Sequence, residues 1–141
     1  MDASVILKWF RQGEVNADRP LAIRRAYLEG RFTLISPTLC AYEIANVLRF
    51  KGDLPTKHIQ DAIQSLYDLN IEWISPSKVL MHRAVELARS FDATVYDAVY
   101  AALAETIDIV LITADEKLAD RMKSLPQMCY LGTLDIESLL S

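Results

Sequence analysis

The stretch that decides the fold is Thr94–Leu118, TVYDAVYAALAETIDIVLITADEKL. Its first half reads as a helix that is apolar almost all round, with no charge from Ala98 to Ala104. Its second half holds the run IVLIT, rich in β-branched residues, and Asp115 stands just beyond it. A helix of about ten residues rises roughly 15 Å. A strand of about five residues returns about the same distance, at ~3.3 Å per residue. Asp97, in the first turn of the helix, and Asp115, past the end of the strand, therefore reach the same edge of a sheet. An uncharged helix of this kind is a buried one. A carboxylate at its mouth needs a partner, and neither Tyr100 nor Ala101, at i+3 and i+4, is a cation.

Outward from this stretch, short β-like runs alternate with helical ones. SVILKWF reads as a short helix, and RPLAIRRAYLEG as a helix with Pro20 in its first turn and Gly30 as its stop. FTLIS is a strand, and TLCAYEIANVLRFKG a helix closed by Gly52. TKHIQDAIQSLYDLN is amphipathic, with Ile59, Ile63 and Leu66 on one face. IEWIS is a strand. SKVLMHRAVELARSF carries a stripe of Leu80, Ala84, Leu87, Ala88 and Phe91. After IVLIT come a surface helix, DEKLADRMKSL, a short strand, MCYLG, and a terminal helix, TLDIESLL. Strands spaced by helices predict a single α/β domain over residues 1–141, a mostly parallel central sheet with helices on both faces. The ligand site of such a sheet lies outside the carboxyl ends of its strands.

Bulk properties narrow the function classes. A chain of 141 residues that is 52% hydrophobic and 24% charged can build a real core and is not a disordered one. No apolar run approaches the roughly 18 residues of a membrane span. Position 2 is acidic and no basic segment precedes the apolar stretch, so no signal peptide is visible and a cytoplasmic location is expected. Cys40 and Cys129 lie far apart, which predicts two reduced, buried thiols. His58 and His82 stand alone, so a zinc site has no support. The net charge of −4 argues against a simple cationic nucleic-acid binder. Its distribution is uneven, however. Residues 1–57 hold nine Lys and Arg against six Asp and Glu, a balance of +3, and residues 58–141 hold six against thirteen, a balance of −7. Lys8, Arg11, Arg24, Arg25, Arg31, Arg49 and Lys51 could form either a solvated surface or a basic rim that guides a phosphate backbone.

Two further carboxylates stand out. Glu43 sits early in the helix after FTLIS, and its helical neighbours Leu39, Cys40, Asn46 and Val47 include no base. Asp2 stands at the mouth of the apolar run ASVIL. Taken singly, each acid has an ordinary explanation. Thr94-x-x-Asp97 and Thr113-x-x-Glu116 both resemble capping boxes. Gathered in one cleft, however, like charges raise one another's pKa unless a cation intervenes. Oxygen ligands without His or Cys suit Mg²⁺ or Mn²⁺, and such ions activate water against phosphodiesters. Asp92 is a further acid beside this set, better suited to the turn before the next helix. Trp9, Phe10, Tyr42, Tyr96 and Tyr100 could stack on bases, but their helical spacing favours the core.

With DASVILKWF at the start, YEIANVL in the third helix, VYDAVYAALA before the fourth strand and ITADEKL after it, the chain resembles the PIN-domain family, in particular its VapC-like toxin ribonucleases. The resemblance covers essentially the whole chain. It implies that Asp2, Glu43, Asp97 and Asp115 form the metal-binding and catalytic acidic cluster, with Ser4, Asn46 and Thr113 as its polar support. It also implies Mg²⁺ or Mn²⁺, an RNA substrate, products with a 5′-phosphate and a 3′-hydroxyl, a homodimer, and a small antitoxin protein that covers the site. A first strand of several apolar residues is implied before Asp2, where Met1 alone stands. The expectation is a truncated first strand, with Met1 either internal to the reading frame or standing in for an apolar strand residue. Two other readings compete. A non-catalytic PIN-like module would bind RNA or protein without cutting. A phospho-receiver domain needs an aspartate ending a central strand and a lysine ending the last one, whereas IEWIS ends at Ser75-Pro76 and MCYLG at Gly132.

Overall fold

The computed structural model describes residues 1–10 and 18–141, so Arg11 lies outside the described residues. Helix α1 (Ala3–Trp9) starts directly at Asp2, whose side chain caps it by accepting from the Ser4 N–H. Helix α2 (Asp18–Leu28) carries Pro20 in its first turn, where no amide is needed. Gly30, at φ +73°, then turns the chain in a conformation open to glycine at no steric cost. Strand β1 (Ile35–Pro37) leads into α3 (Leu39–Arg49) and α4 (Thr56–Asp68). Strand β2 (Glu72–Ile74) precedes α5 (Lys78–Phe91), α6 (Val95–Thr106) and β3 (Leu111–Thr113). Helix α7 (Glu116–Arg121), β4 (Met128–Tyr130), a 3₁₀ turn (Leu131–Thr133) and α8 (Ile136–Leu140) complete the chain.

All strand pairing among the described residues is parallel, as the βα alternation predicts, but it is split. β1 pairs with β2 (Ile35 opposite Glu72), and β3 pairs with β4 (Thr113 opposite Tyr130). The expected continuous sheet is thus two pairs, and each strand is shorter than its apolar run. Met1 and Asp2 occupy the space between the pairs. The Asp2 N–H donates to the Ile112 carbonyl at 3.1 Å, and the Ser36 hydroxyl donates to the Met1 carbonyl at 3.4 Å. Two residues can reach both flanks but are too few to form a ladder.

Helix α6 joins the halves. It packs against β1, β3 and, most extensively, α5. Ala98, Ala101, Ala102 and Ala104 are all buried, which lets the neighbouring backbones approach closely. Arg83 of α5 donates to Glu105 of α6 at 2.7 Å and to Glu86 at 2.9 Å, an exposed link that adds little to stability. Ile6, Ile23, Ile44 and Leu66 are buried to within 1% of complete exclusion. Each such side chain contributes about 1.5–3 kcal/mol. The core therefore draws on α1, α2, α3 and α4 and not on one helix layer alone. Cys40 is buried as expected, whereas Cys129, on β4, is half-exposed; both are free thiols.

Candidate active site

Asp2 is the centre of a buried polar network. It is only 6% exposed, at the N-terminus of α1 and beside the carboxyl end of β3. Its Oδ1 accepts from the Ser4 hydroxyl at 2.5 Å and from the Ser4 N–H at 3.1 Å. Its Oδ2 accepts from the Thr113 hydroxyl, also at 2.5 Å. Each hydroxyl accepts in turn from backbone: Ser4 Oγ from Ala114 N–H at 2.9 Å, and Thr113 Oγ1 from Asp115 N–H at 3.1 Å. The turn after β3 is thereby tied to the start of α1. Burial pushes the Asp2 carboxyl above its ordinary pKa, against the hydrogen bonds from Ser4 and Thr113 that hold it down.

The other three carboxylates come from three different helices. Glu43, one turn into α3, accepts from the Tyr100 hydroxyl of α6 at 2.6 Å. Its carboxyl is raised by burial and by the charges of Asp97 and Asp2, while the Tyr100 hydrogen bond works in the opposite direction. Asp97 sits in the first turn of α6. Its own amide donates to Thr94 Oγ1 at 3.1 Å, so Thr94 caps the helix. Burial and the charge of Asp115 raise Asp97, and Thr94 and Arg121 offset part of that rise. Asp115 caps α7, its Oδ1 accepting from the Leu118 N–H at 3.1 Å. The cap of α7 is thus Asp115 and not Thr113, because Thr113 is still in β3 and spends its hydroxyl on Asp2.

The charges of Asp2 and Asp97 reach Glu43, and that of Asp115 reaches Asp97, while Ser4 and Thr113 both bond to Asp2. Asn46 is exposed, one turn beyond Glu43, and lines one groove with Glu43, Arg49 and Tyr96. Among the described residues no hydrogen bond ties its side chain to the acids. Asp92 is a turn residue: at φ 51° it ends α5, and its carbonyl accepts from Arg121 at 2.6 Å. Of the aromatics assigned to the core, Trp9 and Tyr100 are buried, but Tyr42 is 75% exposed and Tyr96 62%.

Two contributors were not legible in the sequence. Tyr100, an uncharged neighbour of Asp97 and a candidate core aromatic in the sequence, supplies the hydroxyl that Glu43 lacked, across 57 positions. Arg121 lay in a helix read as surface, yet its charge reaches Asp97. Only the i, i+3 spacing of Asp97 and Tyr100 hinted that the tyrosine would share the site.

The donor set is all oxygen and of like charge. That chemistry fits a hard divalent cation such as Mg²⁺ or Mn²⁺. Among the described residues, no three of the His, Cys, Asp and Glu side chains converge closely enough to form a ready-made cage.

Comparison with known proteins bears on the family and the fold. The family model described as PIN domain matches residues 1–123. The chain is also similar to the crystal structure of PAE2754 from Pyrobaculum aerophilum, with a TM-score of 0.68 and 21% identity over 99% of this chain and 89% of that one. At that identity the likeness shows the fold alone. No curated protein matches the chain. Among the described residues no helix is long and apolar enough to cross a membrane.

Proposed function

Because the chain belongs to the PIN domain family, we propose that it is a metal-dependent endoribonuclease whose acidic set is Asp2, Glu43, Asp97 and Asp115. The observation that supports this reading is that the charges of Asp2 and Asp97 reach Glu43 and that of Asp115 reaches Asp97, with burial raising the carboxyls of Asp2, Glu43 and Asp97. Folding places these charges together against their mutual repulsion, a cost that a bound cation would offset. Mg²⁺ or Mn²⁺ held by these residues would supply Lewis-acid stabilisation of the phosphate and a more acidic water.

The chain's own groups have separable tasks. Ser4 and Thr113 fix both oxygens of Asp2, so its orientation is set before any ligand arrives. Tyr100 takes Glu43 Oε1 and leaves Oε2 to accept a proton from the attacking water. Arg121 moderates the charge at Asp97. In the hydrolysis, the water oxygen bonds to phosphorus and the bond from phosphorus to the 3′-oxygen breaks. One product keeps a 5′-phosphate, and the other gains a 3′-hydroxyl with a proton from solvent.

The four ordered motifs further support a VapC-like toxin role. On that reading the protein is a cytoplasmic homodimer, and a small antitoxin covers the acidic site. A non-catalytic PIN-like module is the second reading. It is favoured by one observation: both Asp2 oxygens are already engaged by hydroxyls. Incubation of a mixed RNA pool with Mg²⁺, and separately with EDTA, followed by analysis of product ends, separates the two. The nuclease reading expects magnesium-dependent products with 5′-phosphates and 3′-hydroxyls. Products ending in 2′,3′-cyclic phosphates, or none at all, would contradict it.

A further inference from the structure

Helix α7 carries an acid of the set at one end and a cation at the other. Asp115 caps its start, and Arg121 stands in its last turn. The helix is short but fixed: Leu118 and Ala119 are buried, and it packs on β3 and β4. Helical side chains lean towards the N-terminus of their helix, so Arg121 leans back towards the end that holds Asp115. Its guanidinium Nη1 donates to the Asp92 carbonyl at 2.6 Å. Asp92 closes α5 at φ 51°, and Thr94, just beyond it, caps the helix that carries Asp97. The guanidinium therefore stands at the turn leading into the Asp97 helix. Its charge reaches Asp97 and holds that carboxyl down against burial and Asp115.

The way this cation is held matters more than its presence. Among the described residues Arg121 forms no ion pair, and the Asp92 carbonyl is its one hydrogen-bond partner. A carboxylate partner would neutralise the charge; a carbonyl fixes the position and leaves the charge whole. A guanidinium carries N–H donors on each of its nitrogens in a planar fork, so most of its donors stay open, and the residue is exposed. The end of α7 suits a cation, but the start of α6 is the positive end of a helix dipole and does not. What faces the guanidinium there is the acidic set.

We infer that Arg121 is a catalytic residue of the hydrolysis proposed above, its open N–H groups donating to a non-bridging oxygen of the phosphate as negative charge builds there in the transition state. The inference rests on the nuclease reading, and it adds a residue beyond both the acidic set and the ITADEKL motif. Attack of water loads the non-bridging oxygens with charge that carboxylates repel. A cation already fixed in place stabilises that charge without reorganising. The guanidinium stays protonated throughout and exchanges no proton, so the bonds formed and broken are those of the hydrolysis itself.

The test measures kcat and KM for cleavage of a single-stranded oligoribonucleotide in Mg²⁺ by the full-length parent, Arg121→Ala and Arg121→Lys. Thermal melts in EDTA and in Mg²⁺ accompany it. Arg121→Ala is expected to lower kcat about 10²–10³-fold, the usual loss for one preorganised donor to transition-state charge. Its KM should stay within about twofold of the parent's, because the contact is made in the transition state only. Added guanidinium ion, well below denaturing concentration, should restore part of that kcat and should not raise the parent's. Arg121→Lys keeps the charge without the fork and should fall between the two. Mg²⁺ should raise the melting temperature of Arg121→Ala at least as much as that of the parent, since the acids are intact. A kcat for Arg121→Ala within about twofold of the parent's would overturn the inference. So would a loss of kcat that guanidinium does not rescue, or one accompanied by loss of the Mg²⁺ shift; either marks a mere tie between α7 and the α5–α6 turn. A raised KM with unchanged kcat would make Arg121 a ground-state contact and overturn it too. No cleavage by a folded parent that Mg²⁺ stabilises would reject the nuclease reading and this role with it, so the parent's own activity tells the two failures apart.

Discussion

Replacing Thr113 by valine tests the network at its centre. The side chain is 0% exposed, and valine has nearly its shape, so neither a cavity nor a clash is introduced. Valine is also a good strand residue, which leaves β3 unpenalised. What is lost is the hydroxyl. It donates to Asp2 Oδ2 at 2.5 Å and accepts from Asp115 N–H at 3.1 Å. A hydrogen bond to a charged group contributes about 1.5–3 kcal/mol and a neutral one about 1 kcal/mol. The variant should therefore be about 2.5–4 kcal/mol less stable. With a urea m-value of about 2 kcal/mol per M, the midpoint falls by roughly 1–2 M. Urea titration followed by circular dichroism measures it, with Thr113→Ser as the variant that keeps the hydroxyl. The deficit also has a sign in pH. Thr113 favours the ionised form of Asp2, so its loss lifts a native pKa that burial has already raised. The native state then binds the proton more tightly still than the unfolded chain, and stability falls more steeply as pH rises. Thr113→Val should thus cost least in acid and most at neutral pH. A midpoint within about 0.2 M of the parent at pH 7, less than the smallest neutral hydrogen bond is worth, would refute the reasoning.

Other consequences follow from the same charges. In metal-free buffer the parent should lose stability as pH rises from the ordinary carboxylate range towards neutrality, because Asp2, Glu43 and Asp97 all have raised native pKa values. Thermal melts across that range check this, and added Mg²⁺ should flatten the decline. Asp97→Asn removes one of the repelling charges, so in EDTA it should melt above the parent, and Mg²⁺ should stabilise the parent more than the variant. Tyr100→Phe removes the hydrogen bond that holds the Glu43 carboxyl down. The acid limb of kcat/KM against pH should then move to higher pH, with a stability loss of about 1 kcal/mol.

The sequence made some of this arrangement legible and hid the rest, for identifiable reasons. The uncharged run Ala98–Ala104 betrayed the buried helix α6, and the lengths of α6 and IVLIT placed Asp97 and Asp115 at one edge. Those arguments need only local geometry, and the structure agrees with them. The capping pattern Thr113-x-x-Glu116 misled, because spacing cannot tell which oxygen faces the helix when the preceding threonine belongs to a strand. The single sheet was expected from strand count. It splits because Met1 and Asp2, between β1 and β3, reach each neighbour through one hydrogen bond only. The hydrogen bond from Tyr100 to Glu43 and the charge of Arg121 near Asp97 were not legible, because they join elements distant in the chain. Asn46 was placed by motif alone; it is exposed on α3 and shares a groove with Glu43.

The most direct measurement is cleavage of one RNA pool by the parent and by Asp97→Asn, purified side by side and assayed in Mg²⁺ or Mn²⁺. Cutting by the parent, none by the variant, and an Asp97→Asn protein that remains folded are expected. Equal cutting by both, or none by a folded, metal-supplied parent, would contradict the claim that these four carboxylates form a nuclease centre.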